Sequence, residues 1–180
     1  MAKKSTVKMT KNFSAKKLKK NLNKIIVDGL NVMGRNVNLE IQKNTAAGID
    51  VHGNKFDSLE QSTKDERDRL GFSGPPLNRT GNMKQTSFTR ATLAKPIFTI
   101  EMTGKSSRTG DVYGAYHNQG FVNSADSRFP GTKVPKREWF GISKNMQPGG
   151  PGYNRAMLEI DKRIDSAFST HFHVVGQYKK

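Results

Sequence analysis

Hydrophobic residues recur at helical spacing through the first quarter of the chain. From about Ser14 to Asn44 they fall at Leu18, Leu22, Ile25, Ile26, Leu30, Met33, Val37 and Ile41, in steps of three and four with one adjacent pair. That is the period of one helix face. Ser14 is placed to cap the start and Gly48 to stop the end. Gly29 and Gly34, inside the pattern, each cost about 1 kcal/mol relative to Ala in an isolated helix, so a kink or a close contact is expected there. A second helical pattern runs from roughly Tyr153 to Thr170, with Ala156, Met157, Ile160, Ile164, Ala167 and Phe168 on one face. It follows the breaker Gln147-Pro148-Gly149-Gly150-Pro151-Gly152.

Between the helices the pattern changes. Residues 49–83 hold a turn at Gly53 to Phe56, a charge-dense stretch from Lys64 to Arg69, and heavy punctuation from Gly71 to Leu77. This reads as a long, exposed loop with about one helical turn, of the kind that is functional or ordered by a partner. Ser87 to Ala91 and Ile97 to Met102 have strand composition, and Ala94-Lys95-Pro96 suits a hairpin between them. Tyr113 to Asn118 fits a helical turn or a strand entry. Phe121-Val122 begins a short strand, and Val134 to Ile142 is expected to close the sheet. The fold class is α+β: a long N-terminal helix, a small antiparallel sheet with long loops, and a C-terminal helix.

Composition alters this picture in two ways. Only 33% of the 180 residues are hydrophobic, so the core is small for one domain of this length, as in a chain with extended arms or a subunit that buries surface against others. The formal net charge is +16, from 31 Lys+Arg against 15 Asp+Glu, which implies a polyanionic neighbour. Nine lysines and no acid stand in residues 1–24. Residues 1–12 read as a basic flexible arm, and 13–180 as a single domain. Lys3, Lys4, Lys8, Lys11, Lys16, Lys17, Lys19 and Lys20 are the candidate contacts to DNA or to an acidic partner, acting as point charges without base reading. There is no Cys, which excludes disulfides and thiolate metal sites. No segment approaches the roughly 20 apolar residues of a membrane helix, and no apolar run follows the basic N-terminus as in a secretory signal. A soluble, intracellular protein is expected.

Catalytic chemistry is missing. The sequence has no phosphate-binding Gly-x-x-x-x-Gly-Lys loop, no His-Glu-x-x-His and no Gly-x-Ser-x-Gly. His171 and His173 share a face if they lie on a strand, but lack nearby carboxylate or thiolate partners. His117 has no second His or acidic cluster beside it. Asp57, Asp65 and Asp68 lack the glycine and terminal Glu of a calcium loop. No cofactor, no metal and no enzymatic activity are expected.

Two aromatic runs flank a polar loop: Tyr113-Gly114-Ala115-Tyr116-His117-Asn118-Gln119-Gly120 and Val134-Pro135-Lys136-Arg137-Glu138-Trp139-Phe140-Gly141-Ile142-Ser143. Upstream stand Gly53-x-x-Phe56-x-x-Leu59, Thr63, Gly71 and Leu77-x-x-Thr80-Gly81-x-Met83. In this order the three segments resemble the virion morphogenesis family of tailed phages, which includes Mu-like tail-completion and head–tail joining (neck) proteins. The likeness spans about residues 53–143. The chain departs from the family pattern at Glu138 (usually Pro), Asn118 (inserted) and Met83 (usually Leu).

The resemblance implies a structural virion protein forming a ring, six-fold in the family, at the head–tail junction. Its partners would be copies of itself, portal or adaptor proteins, tail-tube or terminator proteins, and genomic DNA passing through the lumen. It would reside in the virion, and in the host cytoplasm during assembly. Phe56, Leu59, Leu77 and Met83 are the expected loop anchors, and Tyr116, His117, Trp139 and Phe140 the packing of the sheet region, either at a subunit interface or within one subunit. The competing reading is a basic, sequence-independent nucleic-acid-binding protein, which explains the charge directly but not the order of the motifs.

Overall fold

The computed structural model describes residues 6–9, 14–77, 81–105, 110, 112, 114–127, 130–169 and 172–175. Its spine is α1, Ala15–Ala47, about 50 Å long at 1.5 Å per residue. Ser14 caps it through a hydrogen bond from the Lys17 N–H to Ser14 Oγ of 3.3 Å. Gly48 ends it in the left-handed region at φ 71°, its N–H returning to the carbonyls of Asn44 and Thr45. A side chain at Gly48 would also run into Pro75.

The interior glycines of α1 mark close approaches. A Cβ on Gly29 would stand 3.0 Å from the Ile160 side chain, and one on Gly34 would stand 2.6 Å from the Phe88 ring and 2.7 Å from the Phe98 ring. Ile160 belongs to α4, Pro151–Ser169. Phe88 lies in β2, Thr86–Thr89, which pairs antiparallel with β3, Thr99–Met102. Five positions separate the two glycines, or about 140° around the helix. One spine thus carries α4 on one flank and the hairpin on another.

The loop expected over 49–83 contains more order than its composition suggests. Gln61–Arg69 forms a nine-residue helix, α2. It exposes nearly all its side chains, so no apolar stripe announces it. Arg67 is buried beneath it and donates to the carbonyls of Pro75, Ser73 and Gly74 at 3.3, 3.4 and 3.2 Å. One guanidinium therefore gathers the Ser-Gly-Pro turn against the helix.

The strands make three separate ribbons. Besides β2–β3, β4 (Phe121–Val122) pairs with β5 (Lys133–Val134), and β1 (Thr6–Met9) pairs with β6 (Phe172–Val175). Val134 to Ile142 does not close a sheet; only its first residue is in a strand. Residues 6–9, within the expected arm, run antiparallel to residues 172–175 at the other end of the chain. A short helix α3, Gly114–Gln119, precedes β4. The core gathers Val37 and Ile41 of α1 with Phe56, Met83, Trp139 and Met146, edged by Met33, Leu77, Ile100, Met102 and Phe140.

Candidate functional site

The two aromatic runs dock onto each other. The Arg137 N–H donates to the His117 carbonyl at 2.8 Å, the Trp139 indole N–H to the Gly114 carbonyl at 3.0 Å, and the Phe140 N–H to Asn118 Oδ1 at 3.0 Å. Trp139 is 2% exposed, and its ring lies where a Cβ on Gly114 would come within 2.6 Å. Glycine at 114 is what lets the indole seat against α3. The ring stacks edge-on to Phe140 at 5.5 Å between centroids.

Two of the three departures from the resembled pattern, Asn118 and Glu138, have work here. Asn118 supplies the acceptor for Phe140. Glu138 accepts from Lys136 at 2.6 Å and from His52 at 2.8 Å, and these two hydrogen bonds, Lys136 first, hold its carboxyl below the ordinary range. The same seam is reinforced by the backbone: Val51 N–H to the Glu138 carbonyl and Lys144 N–H to the Val51 carbonyl. The turn after α1 is thereby tied to the second aromatic run.

His117 and Arg137 sit in the seam. Burial, with the Arg137 charge adding to it, lowers the His117 pKa to about 4, so the imidazole is neutral near pH 7. Its ring meets Phe121 edge-on at 5.4 Å. Arg137, 6% exposed, is pushed below its usual range by burial, with Asp57 pulling the other way.

Of the eight expected anchor and packing residues, Phe56, Met83 and Trp139 are buried within one chain, with Leu77 and Phe140 packed against them. Phe56, Met83 and Trp139 thus belong to the core of one chain, while Leu77 and Phe140 at its edge stay partly exposed. Leu59 and His117 are half-buried. Tyr116 is exposed, leaning on Phe121 at 6.1 Å. Leu77 holds a left-handed φ of 67°, a strain that its seat at the core edge offsets.

The lysines divide differently. Lys16, Lys17, Lys19 and Lys20 project exposed from the first turns of α1. Lys8 lies in β1, paired with His173. Lys3, Lys4, Lys11 and His171 fall outside the described residues. Sequence reading missed what stands beside the helix lysines. The exposed Leu93, at the tip of the β2–β3 hairpin, lines a shallow cavity of about 270 Å³ with Lys16, Lys19, Lys20 and Asn23. No periodicity announces a contact between positions so far apart in sequence.

A second hollow, of about 250 Å³, lies between α1 and α4 and mixes Glu40, Lys43, Arg155 and Glu159 with Leu39 and Met146. Among the described residues no three His, Cys, Asp or Glu stand together as a metal site, and no helix is long and apolar enough to cross a membrane. Large apolar side chains are exposed on several elements, among them Leu39 on α1, Leu158 on α4, Leu93 and Ile97 on the hairpin, and Ile142.

No family model, characterised protein or solved structure matches the chain.

Proposed function

We propose that the chain is a structural subunit of a tailed-phage virion. Copies of it form a ring at the head–tail junction, in the neck, tail-completion or tail-terminator position, joining the portal side to the tail and leaving a channel for DNA. It performs no catalysis in this reading. The observation that carries the proposal is how the three motif segments are used. The segments that resemble the virion morphogenesis family converge on one seam and one core, through Trp139, Phe140, Phe56 and Met83. They build architecture and leave the outer surface to make the contacts.

The exposed apolar side chains support assembly. A ring repeats one heterologous contact until it closes, and exposed apolar residues on α1, α4 and the hairpin supply material for it.

Light scattering on the purified chain, at low and high salt, tests the reading. A discrete ring-sized species is expected, or a monomer that becomes one with portal or tail components. A chain that stays monomeric with every virion component would sink it. The competing reading, a sequence-independent nucleic-acid-binding protein, is favoured by the exposed lysines of α1.

A further inference from the structure

The two longest stretches of the chain without an acidic residue stand out. The first runs from residue 1 to 27 and the second from 69 to 100. They are far apart in sequence, and the fold brings them together. The first supplies the N-terminal turns of α1, and the second supplies the β2–β3 hairpin with its tip.

A buried clasp sets how they meet. Asn31 of α1 donates from Nδ2 to the Ala91 carbonyl at 3.0 Å, and the Ala91 N–H donates to Asn31 Oδ1 at 2.7 Å. A side-chain amide thus pairs with one residue of the hairpin as a neighbouring strand would. Further along, Gln42 donates to Thr86 Oγ1 and Thr86 donates to Asn38. The hairpin is therefore registered along α1, and its tip reaches the lysines. Thr92 and Lys95 close the tip with two hydrogen bonds, Thr92 N–H to the Lys95 carbonyl and Lys95 N–H to Thr92 Oγ1. Leu93 lines the lysine cavity, and Arg90 and Lys95, which flank Leu93 in the chain, are exposed.

The lysines are badly placed for helix stability. They occupy the positive end of the helix dipole, where acids are favourable and cations are not. Lys16, Lys20 and Lys24 repel one another at four-residue spacing. No described carboxylate lies within ion-pair distance of them. Local choices that work against the fold mark positions kept for another purpose.

We propose that the first turns of α1 and the β2–β3 hairpin tip form one composite surface that grips the phosphate backbone of duplex nucleic acid without reading bases. Lys16 to Lys24 spans about 12 Å of helix, over which a duplex presents about seven phosphates at one per 1.7 Å of axis. Leu93 carries the aliphatic stems of the lysines, leaving their heads outward. Arg90 and Lys95 extend the surface across the hairpin. The inference does not depend on ring formation, because it concerns a surface each subunit carries by itself.

The test uses the full chain and fluorescent duplexes of two unrelated sequences, with anisotropy followed from about 50 to about 200 mM salt. Both duplexes should bind equally, with affinity falling steeply with salt. The Lys16→Gln/Lys19→Gln/Lys20→Gln variant should show a log–log salt slope shallower by about 2.7, at about 0.9 per lost contact, and should melt no lower than the parent. Arg90→Gln/Lys95→Gln should lose about 1.8 of the slope. Lys55→Gln/Lys133→Gln/Lys144→Gln, with the same charge loss elsewhere, should keep the parent's slope. Equal losses in the two triple variants would overturn the proposal in favour of diffuse net charge. A hairpin variant that binds like the parent would overturn the composite surface. Retention of poly-glutamate but not of duplex would replace nucleic acid with an acidic protein partner.

Discussion

Gly29 and Gly34 look alike in the sequence and differ in what faces them. Each removes about 1 kcal/mol of helix propensity relative to Ala. At Gly29 the obstacle is the flexible Ile160 side chain at 3.0 Å; at Gly34 it is two aromatic rings at 2.6 and 2.7 Å. Gly34→Ala should therefore destabilise the chain by about 1–2 kcal/mol, overpacking less the propensity gain. Gly29→Ala should stay within about 1 kcal/mol of the parent. Urea midpoints compare the two, and equal losses would refute the assignment of different neighbours. His117 gives a second residue-scale expectation. Its folded pKa of about 4 lies below the ordinary 6.5, so between those values the unfolded chain binds more protons. The stability tied to a neutral His117 is whole above pH 6.5 and is lost as pH falls toward 4, by up to about 3 kcal/mol. His117→Gln should flatten the fall of the melting temperature across that window, and an unchanged slope would show that other groups carry it.

Among the elements, α2 is held by its loop as much as the loop is held by it. Arg67→Ala removes three hydrogen bonds from a buried cation and should cost about 1–3 kcal/mol. Trypsin should then cut at Arg69 faster than in the parent. Arg67→Lys should recover little, because one ammonium cannot match the guanidinium fork. Cleavage at the parental rate would mean that the turn at 73–75 is held by other contacts. The long helix was legible from the sequence because its two ends carry local chemistry, Ser14 and Gly48, and its face keeps one period. The C-terminal helix was legible for the same reason, and begins two residues earlier than its apolar pattern because Pro151 suits a first helical position. α2 was not legible, since Gln-Ser-Thr-Lys-Asp-Glu-Arg-Asp-Arg has no apolar stripe. A local signal is the Gln61–Asp65 pair at four-residue spacing, which is hydrogen-bonded in the fold.

Across the whole molecule, what the sequence left hidden is long-range. Phe56, Met83 and Trp139 were readable as residues to bury, but not whether one chain or two would bury them; that depends on α1 passing Val37 and Ile41 beneath all three. The contact of Leu93 with the lysines depends likewise on Asn31 fixing the hairpin along the helix. A chain with a small core and large apolar side chains exposed on α1, α4 and the hairpin is expected to gain stability by association. Its melting temperature should rise with protein concentration, as mass action requires when only the folded state assembles. A midpoint that holds constant over a wide concentration range would count against assembly of the isolated chain.

The seat of Trp139 has one more consequence. It is the chain's single tryptophan, and it stands at the junction of the two aromatic runs, not at the exposed surface. Its emission is therefore a spectroscopic signal for that junction alone, blue-shifted while the indole stays dry and moving to the red when Gly114 and Phe140 part from it. Docking of partners on the outer helices should leave the emission maximum in place, whereas loosening of the seam should shift it even where the helical content of the chain is unchanged.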